Sequence, residues 1–367
     1  MSGTRTSAGS LLLSIPLALV ACASGPKSPG PAHEIQGQGQ PIVVLASGYG
    51  MSRNTWQAVG DELAKDFTVF SFDRPGYGDQ PDTDRPRDPC TIATDTREAL
   101  RSAGLKPPYV LVGHSLGGLH QYVYARLYPQ DVAGFVLLDP THPRHWAMLQ
   151  AERPLLATAL QGMVKMQRSQ ALRNEFGQQT DCLKGLDQRQ ALHAPSRLLV
   201  SRRYKDMEKD LAPTLQALQN DWKTLTGVAA IDPLWDSGHH IQTERPDAVA
   251  QAVREVAGHP RPSSGHPSRV QIGKGADFEV QIGATRQPEV AQRLGRPDET
   301  HQDDERTVWV YQAPGIRVPM AISLIPVIGD LADLVELGQS AVDRHEAIIE
   351  FDAQGVVRHA RRRPVEP

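Results

Sequence analysis

Cysteine is scarce in this chain, three in 367 residues, which excludes a fold held together by a disulfide scaffold. An excess of one charge is also lacking. The 39 Lys and Arg stand against 42 Asp and Glu, a formal net charge of -3, so no global basic field collects phosphate backbones, and this argues against nucleic acid as a partner. Neither an H-E-x-x-H pattern nor an Asp/His cluster at ligand spacing occurs; no metal site and no cofactor is implied. Long apolar runs are missing too. The stretch from Leu11 to Val20 and the proline-broken core from Met320 to Gly329 both fall short of the ~20 residues a spanning helix needs. What remains, 22% charged and 40% hydrophobic residues, is a globular balance that rules out collagen-like, coiled-coil and wholly disordered chains. The length suggests two or three domains.

The first thirty residues read as an address. Arg5 precedes the short apolar stretch, which ends in Ala21-Cys22-Ala23-Ser24 and a Ser/Gly/Pro-rich run, the pattern of an export signal. Leu19-Val20-Ala21-Cys22 resembles the lipobox of bacterial lipoproteins, in which the cysteine becomes the acylated first residue of the mature chain. That resemblance implies a signal peptide over 1–21, a flexible tether over 22–40, lipidation at Cys22 and anchorage in the bacterial cell envelope, on the periplasmic side of the outer membrane. An ordinary secretory signal is the alternative, and it too takes the mature chain out of the cytoplasm. Cys90 and Cys182 would then mature where disulfides persist; sequence leaves their pairing open, because it gives no Cα separation.

From Pro41 short apolar runs alternate with amphipathic stretches. The runs are Ile42 to Ala46, Phe67 to Phe72, Tyr109 to Val112, Gly134 to Leu138, Arg197 to Ser201 and Gly227 to Ile231. Helix-like stretches fall at about 52–65, 91–103, 116–127, 205–220 and 245–257. Continuous apolar runs bounded by turns predict strands buried on both faces, and their alternation with helices predicts a parallel sheet covered on both sides. Residues 141–195 interrupt the order with helical periodicity and no strand, and read as a helical lid.

After the third predicted strand stands Gly113-His114-Ser115-Leu116-Gly117, a G-x-S-x-G pattern with a strand before it and a helix after. On such a strand-to-helix turn the backbone leaves no room for side chains at the two glycines and lifts the serine hydroxyl into the open. Ser115 is the candidate nucleophile. It needs a base. Ser237-Gly238-His239-His240 follows the last predicted strand and resembles the SGHxxxxxxP stretch of α/β-hydrolases, with Pro246 as the proline. That resemblance makes His239 the base and leaves His240 to pack or line the pocket. A carboxylate must fix the imidazole, and two compete. Asp139 ends the fourth predicted strand, where a side chain is held rigidly; Asp206 lies past the fifth, where most family members keep the acid. The usual Gly-x-x-Asp turn is absent there, and Arg202, Arg203 and Lys205 crowd the carboxylate. Asp139 is preferred and Asp206 stays open. The oxyanion donors expected are the backbone N–H groups of Leu116 and Tyr49, the latter in the loop Ala46-Ser47-Gly48-Tyr49-Gly50.

Residues 41–258 thus resemble the α/β-hydrolase superfamily throughout, including the turn Phe72-Asp73-Arg74-Pro75-Gly76-Tyr77-Gly78. The resemblance implies an α/β fold with a helical lid and hydrolysis of a small-molecule carboxylic ester or thioester through an acyl-enzyme. A serine at the elbow disfavours the dehalogenase and epoxide-opening branches. A peptidase of the proline iminopeptidase kind and a cofactor-free haloperoxidase remain alternatives, as does a non-catalytic envelope assembly protein using the fold as scaffold. Trp146, Met148 and Leu149 of the lid are candidates for an apolar wall or for core packing.

Residues 259–268, with three prolines, read as a linker. Beyond them, over 269–367, a Thr-capped helix ending at Gly295 is followed by period-2 strands at Val308 to Tyr311 and Ala347 to Val357. This resembles the small α+β fold of SmpA/OmlA envelope lipoproteins and implies an envelope protein partner for the module. It departs through an insertion from Gly315 to Arg344. Arg361-Arg362-Arg363 reads as a solvated tail.

Overall fold

The computed structural model describes residues 32–186, 192–202, 212–258, 269–272, 279–302, 306–312 and 345–364. Its larger sheet has seven strands in the order β1-β3-β2-β4-β5-β6-β7. They are β1 His33–Gln36, β2 Ile42–Ala46, β3 Val69–Phe72, β4 Tyr109–His114, β5 Val132–Leu138, β6 Ser196–Ser201 and β7 Asp232–Leu234. All neighbours are parallel except β1, which runs antiparallel to β3. Helices up to residue 258 are α1 Gln57–Leu63, α2 Pro89–Ser102, α3 Leu116–Leu127, α4 His145–Glu152, α5 Pro154–Lys165, α6 Gln170–Gly177, α7 Ala212–Thr226, α8 Ile241–Glu244 and α9 Pro246–Val256.

Because successive strand residues point to opposite faces, the apolar runs feed two cores. Val43, Leu45, Val110, Val112 and Val136 pack against α1 and α9 on one side. Ile42, Val44, Leu111 and Leu137 pack against α2, α3 and the lid helices α4, α5 and α6 on the other. The lid is fastened covalently. Cys90, in the first turn of α2, is bonded to Cys182, with 6.1 Å between the Cα atoms and a sequence separation of 92. Asp88 caps the same turn, accepting from the N–H groups of Cys90 and Thr91 at 3.0 and 3.1 Å. Of the lid side chains singled out above, Leu149 is buried in the core and Trp146 packs on Phe176, ring centroids 5.0 Å apart.

Two expectations shift. The run from Gly227 to Ile231 is not a strand; Gly227, at φ 71°, closes α7 by donating to Lys223 O, and the strand is the next three residues, β7. The tether expected over 22–40 contributes the edge strand β1, whose backbone pairs from His33 opposite Phe72 to Gln36 opposite Val69.

After the hydrolase-like region come a two-stranded sheet, β8 Arg269–Gln271 with β9 Glu279–Gln281, then α10 Gln287–Leu294. A four-stranded antiparallel sheet follows in the order β10 Glu299–Gln302, β11 Arg306–Gln312, β12 His345–Asp352, β13 Val357–Pro364. This is a small additional α+β domain. Its helix is capped by Arg286, whose N–H reaches Glu289 Oε1, and not by Thr285, whose hydroxyl accepts from Gln281 N at 2.8 Å. Gly295, at φ 78°, ends the helix as expected. The run from Ala347 to Val357 breaks into a hairpin at Asp352, which accepts the N–H groups of Gln354 and Val356. Arg361 and Arg362 belong to β13 rather than to a tail, Arg361 half-buried and Arg362 exposed. Cys22, Asp206, the linker 259–268 and the insertion 315–344 lie outside the described residues. No helix among the described residues is long and apolar enough to cross a membrane.

Candidate active site

Ser115 stands between β4 and α3 at φ 53° and ψ -123°, a strained conformation for a side-chain-bearing residue. Packing holds it there. A Cβ on Gly113 would lie 2.6 Å from Gly117 O, and one on Gly117 would lie 2.4 Å from the carbonyls of Ala46 and Ser47. Both glycines are therefore required by close backbone approach, the second because the loop after β2 crosses directly over the elbow. Ser115 N donates to Leu138 O at 3.0 Å, and its carbonyl accepts from Thr141 N at 2.9 Å, so the elbow is clamped to the end of β5.

Asp139 follows β5 directly, also at positive φ, 39°. Its Oδ1 accepts from Ser201 N at 3.0 Å and its Oδ2 lies 3.4 Å from His239 Nδ1. The second contact is long for a hydrogen bond, as such pairs often are before substrate tightens them. His239 lies in the loop between β7 and α8, and that loop is tied to β6 by Ser201 Oγ, which donates to Ser237 O at 2.7 Å. Its ring centroid is 4.5 Å from that of His114, the chain neighbour of Ser115. Serine elbow, Asp139 and His239 are thus gathered at the carboxyl ends of the strands. His240 is 5.6 Å from His239 by ring centroids and 5.5 Å from His114.

His114 was not expected to matter. Its Nε2 is 3.0 Å from His239 O, which can only accept, so Nε2 carries the proton and Nδ1 is left to accept from the Gln242 amide at 3.4 Å. Burial, reinforced by the neighbouring His239 and His240, pushes the His114 ring well below its ordinary pKa. It therefore adds no positive charge beside His239. The signal was in plain view, as the variable residue of G-x-S-x-G.

The loop bearing Tyr49 is held from behind. Arg74 donates to Ser47 O at 2.7 Å and to Gly48 O at 2.8 Å, and grips Glu175 of α6 through Nη2 at 2.8 Å and Nε at 3.2 Å. Tyr77 donates to the same carboxylate at 2.9 Å. Since C=O and N–H of a trans peptide point in opposite directions, fixing the Gly48 carbonyl on Arg74 turns the Tyr49 N–H the other way. Burial alone would raise the Glu175 carboxyl, but the Arg74 guanidinium outweighs it and holds it below its usual range. Leu116 opens α3, where first-turn N–H groups have no partner within the helix.

Two more histidines follow Asp139. His142 Nε2 is 3.0 Å from Asp221 Oδ2, and burial lowers the ring to about 4 despite that carboxylate. His145 is lowered to about 3, first by burial and then by His142 and His239. Ser115 itself is 0% exposed, not lifted into the open as the motif predicts.

Comparison with known proteins bears on the fold. The alpha/beta hydrolase fold profile matches residues 41–230. YbdG of Bacillus subtilis is 30% identical over 113 residues, which are 30% of this chain and 35% of that one. YqjL of the same organism is 33% identical over 98 residues, 27% of this chain and 39% of that one. The chain thus spans little more than a third of either relative. Among solved structures, a thermophilic esterase from Thermogutta terrifontis shares 20% identity at a TM-score of 0.46, covering 62% of this chain and 93% of that one. With its parallel sheet, its serine on a strained strand-to-helix turn and a profile match over more than half its length, the chain belongs to the α/β-hydrolase fold family.

Proposed function

We propose that the protein is an envelope-anchored serine hydrolase that cleaves a carboxylic ester or thioester through an acyl-enzyme, with Ser115 as nucleophile, His239 as base and Asp139 as the carboxylate behind it. The observation that carries this reading is the juxtaposition of His239 Nδ1 and Asp139 Oδ2, 3.4 Å apart, beside the serine elbow. His239 Nε2 takes the Ser115 proton as Oγ bonds to the carbonyl carbon. The N–H groups of Leu116 and Tyr49 hold the resulting oxyanion, each worth about 2.7–4 kcal/mol of barrier. Collapse breaks the bond to the leaving oxygen or sulfur, which departs with the proton from His239. Water then repeats the sequence, giving its proton to His239 and displacing Ser115 to release the acid. Asp139 keeps the imidazole in the Nδ1–H tautomer and stabilises the imidazolium.

Anchorage through acylated Cys22, on the periplasmic side of the outer membrane, completes the proposal. The Cys90–Cys182 bond supports export, because such bonds persist in oxidising compartments. The test is hydrolysis of a p-nitrophenyl ester series graded by acyl length, with Ser115→Ala and His239→Ala beside the wild-type chain. Turnover lost in both variants is the expected result; turnover unchanged in either refutes the assignment.

A further inference from the structure

All described residues lie in one compact unit, and the C-terminal sheet reaches the loop that carries His239. Alternation along β11 and β12 sorts their side chains to two faces. Trp309, Ile349 and Phe351 face α10 and the small hairpin. Val308, Val310 and Ile348 form a separate cluster whose packing partner is Trp235, the residue after β7. Trp235 also stacks on His301 of β10, ring centroids 5.4 Å apart and planes 26° apart. The loop is therefore covered at its start by the second domain.

Charge follows the apolar contact. Register places Arg361 opposite Ile348 and His359 opposite Glu350, so both arginine and histidine share the face that meets Trp235. His359 Nε2 stands 3.0 Å from Asp236 Oδ2, while Arg245 Nη1 holds Asp236 Oδ1 at 2.6 Å. Arg361 Nη1 donates to the carbonyl of Glu244. Glu244 in turn accepts from Gly238 N at 3.0 Å. Asp236 and Glu244 flank His239 at three residues before and five after, and β13 reaches both. Burial alone would raise Asp236, but Arg245 and His359 outweigh it and hold the carboxylate ionised.

We propose that the C-terminal sheet is a positioning element of the hydrolase site, with His359 and Arg361 holding the loop from Asp236 to Glu244 so that His239 stays against Asp139. The proposal rests on the reading of His239 as the base. Neither residue touches the reacting atoms. Their work is to keep the stretch from Asp236 to Glu244, with only three residues of strand before it, from carrying the imidazole away from its carboxylate, and small displacements of reacting groups cost rate steeply.

The test uses the full chain and the variants His359→Ala, Arg361→Met, His359→Gln, Arg361→Lys and Val290→Ala. The last loosens the far core of the same domain without touching the loop. Two readouts are taken: the downfield ring N–H proton resonance of His239, and kcat and KM for p-nitrophenyl butyrate. The expected result is a resonance lost or exchange-broadened in His359→Ala and Arg361→Met, with kcat down on the order of 10-fold and KM unchanged. His359→Gln and Arg361→Lys should recover most of both, and Val290→Ala should lower the melting temperature yet keep resonance and kcat. A resonance and kcat unaltered by either truncation, or lost equally in Val290→Ala, overturns the proposal. The resonance reports the His239–Asp139 pair even if no ester is turned over, so failure of the esterase reading and failure of the clamp are told apart.

Discussion

The two larger sheets of this molecule are built on opposite rules. In the seven-stranded sheet β2, β4 and most of β5 are buried on both faces, and the apolar residues simply run on. In the four-stranded sheet they alternate, and the face left over is closed by another domain's tryptophan rather than by a helix of its own. The first sheet brings Ser115, Asp139 and the His239 loop together at its carboxyl edge. The second contributes none of these residues, yet its His359 and Arg361 side chains reach the segment around His239. A buried parallel sheet supplies rigidity; a half-covered antiparallel sheet supplies a surface, and here the surface is turned toward the histidine.

The sharpest way to break this contrast is at the elbow. Ser115→Ala should reduce turnover by about a millionfold at unchanged stability, measured as kcat on a p-nitrophenyl ester together with the thermal melting point. Asp139→Asn should cost on the order of 10⁴ in kcat, because the amide presents the wrong tautomer to His239. A smaller effect, on stability as well as rate, is expected where the lid meets the loop after β2. Glu175→Ala leaves the Arg74 charge buried without its carboxylate, at a cost of about 3–5 kcal/mol in unfolding free energy; denaturant titration measures it. Replacing Cys90 and Cys182 by serine removes a cross-link closing a 92-residue interval and should lower stability by about 2–4 kcal/mol. None of these four changes should alter the far core of the C-terminal sheet, as read from protection of its amides.

Acid should act on the hydrolase region through its buried histidines. His120 and His145 are lowered to about 3 and His142 to about 4, in each case first by burial. These rings stay neutral when folded but take up a proton below about 6.5 when unfolded. The unfolded chain thus binds more protons as pH falls, and stability is lost progressively from about pH 6.5 down toward those folded values. Melting temperatures measured from pH 7.5 to 4.5 should decline steadily below 6.5, and His142→Gln should make the decline shallower.

Much of the hydrolase sheet could be read from residues, because a strand buried on both faces announces itself by composition. The same criterion failed at its margins. Strand β1 has Ile35 as its one apolar residue, 43% exposed, and is held by backbone pairing and the His33 ring on Phe70, which leaves no apolar pattern to find. The apolar run at 227–231 outweighed the three polar-leaning residues of β7, whose strand state comes from pairing with β6. Asp139 could be placed at a strand end by periodicity, and its contact with His239 follows from topology. Glu175 carried no signal, being one carboxylate among the lid's polar residues until the fold sets Arg74 against it. Arg361 was misjudged for a related reason. An arginine in such a run looks solvated when its acceptor, the Glu244 carbonyl at the end of α8, lies more than a hundred residues earlier.

The central claim is that Ser115 is an activated nucleophile. The most direct measurement is covalent labelling of the chain by a fluorophosphonate, with the adduct located by peptide mass spectrometry. The account predicts a single adduct on Ser115 that forms in the wild-type chain and is abolished by His239→Ala. A folded wild-type chain that takes up no label, or one labelled elsewhere while Ser115 stays unmodified, would contradict it.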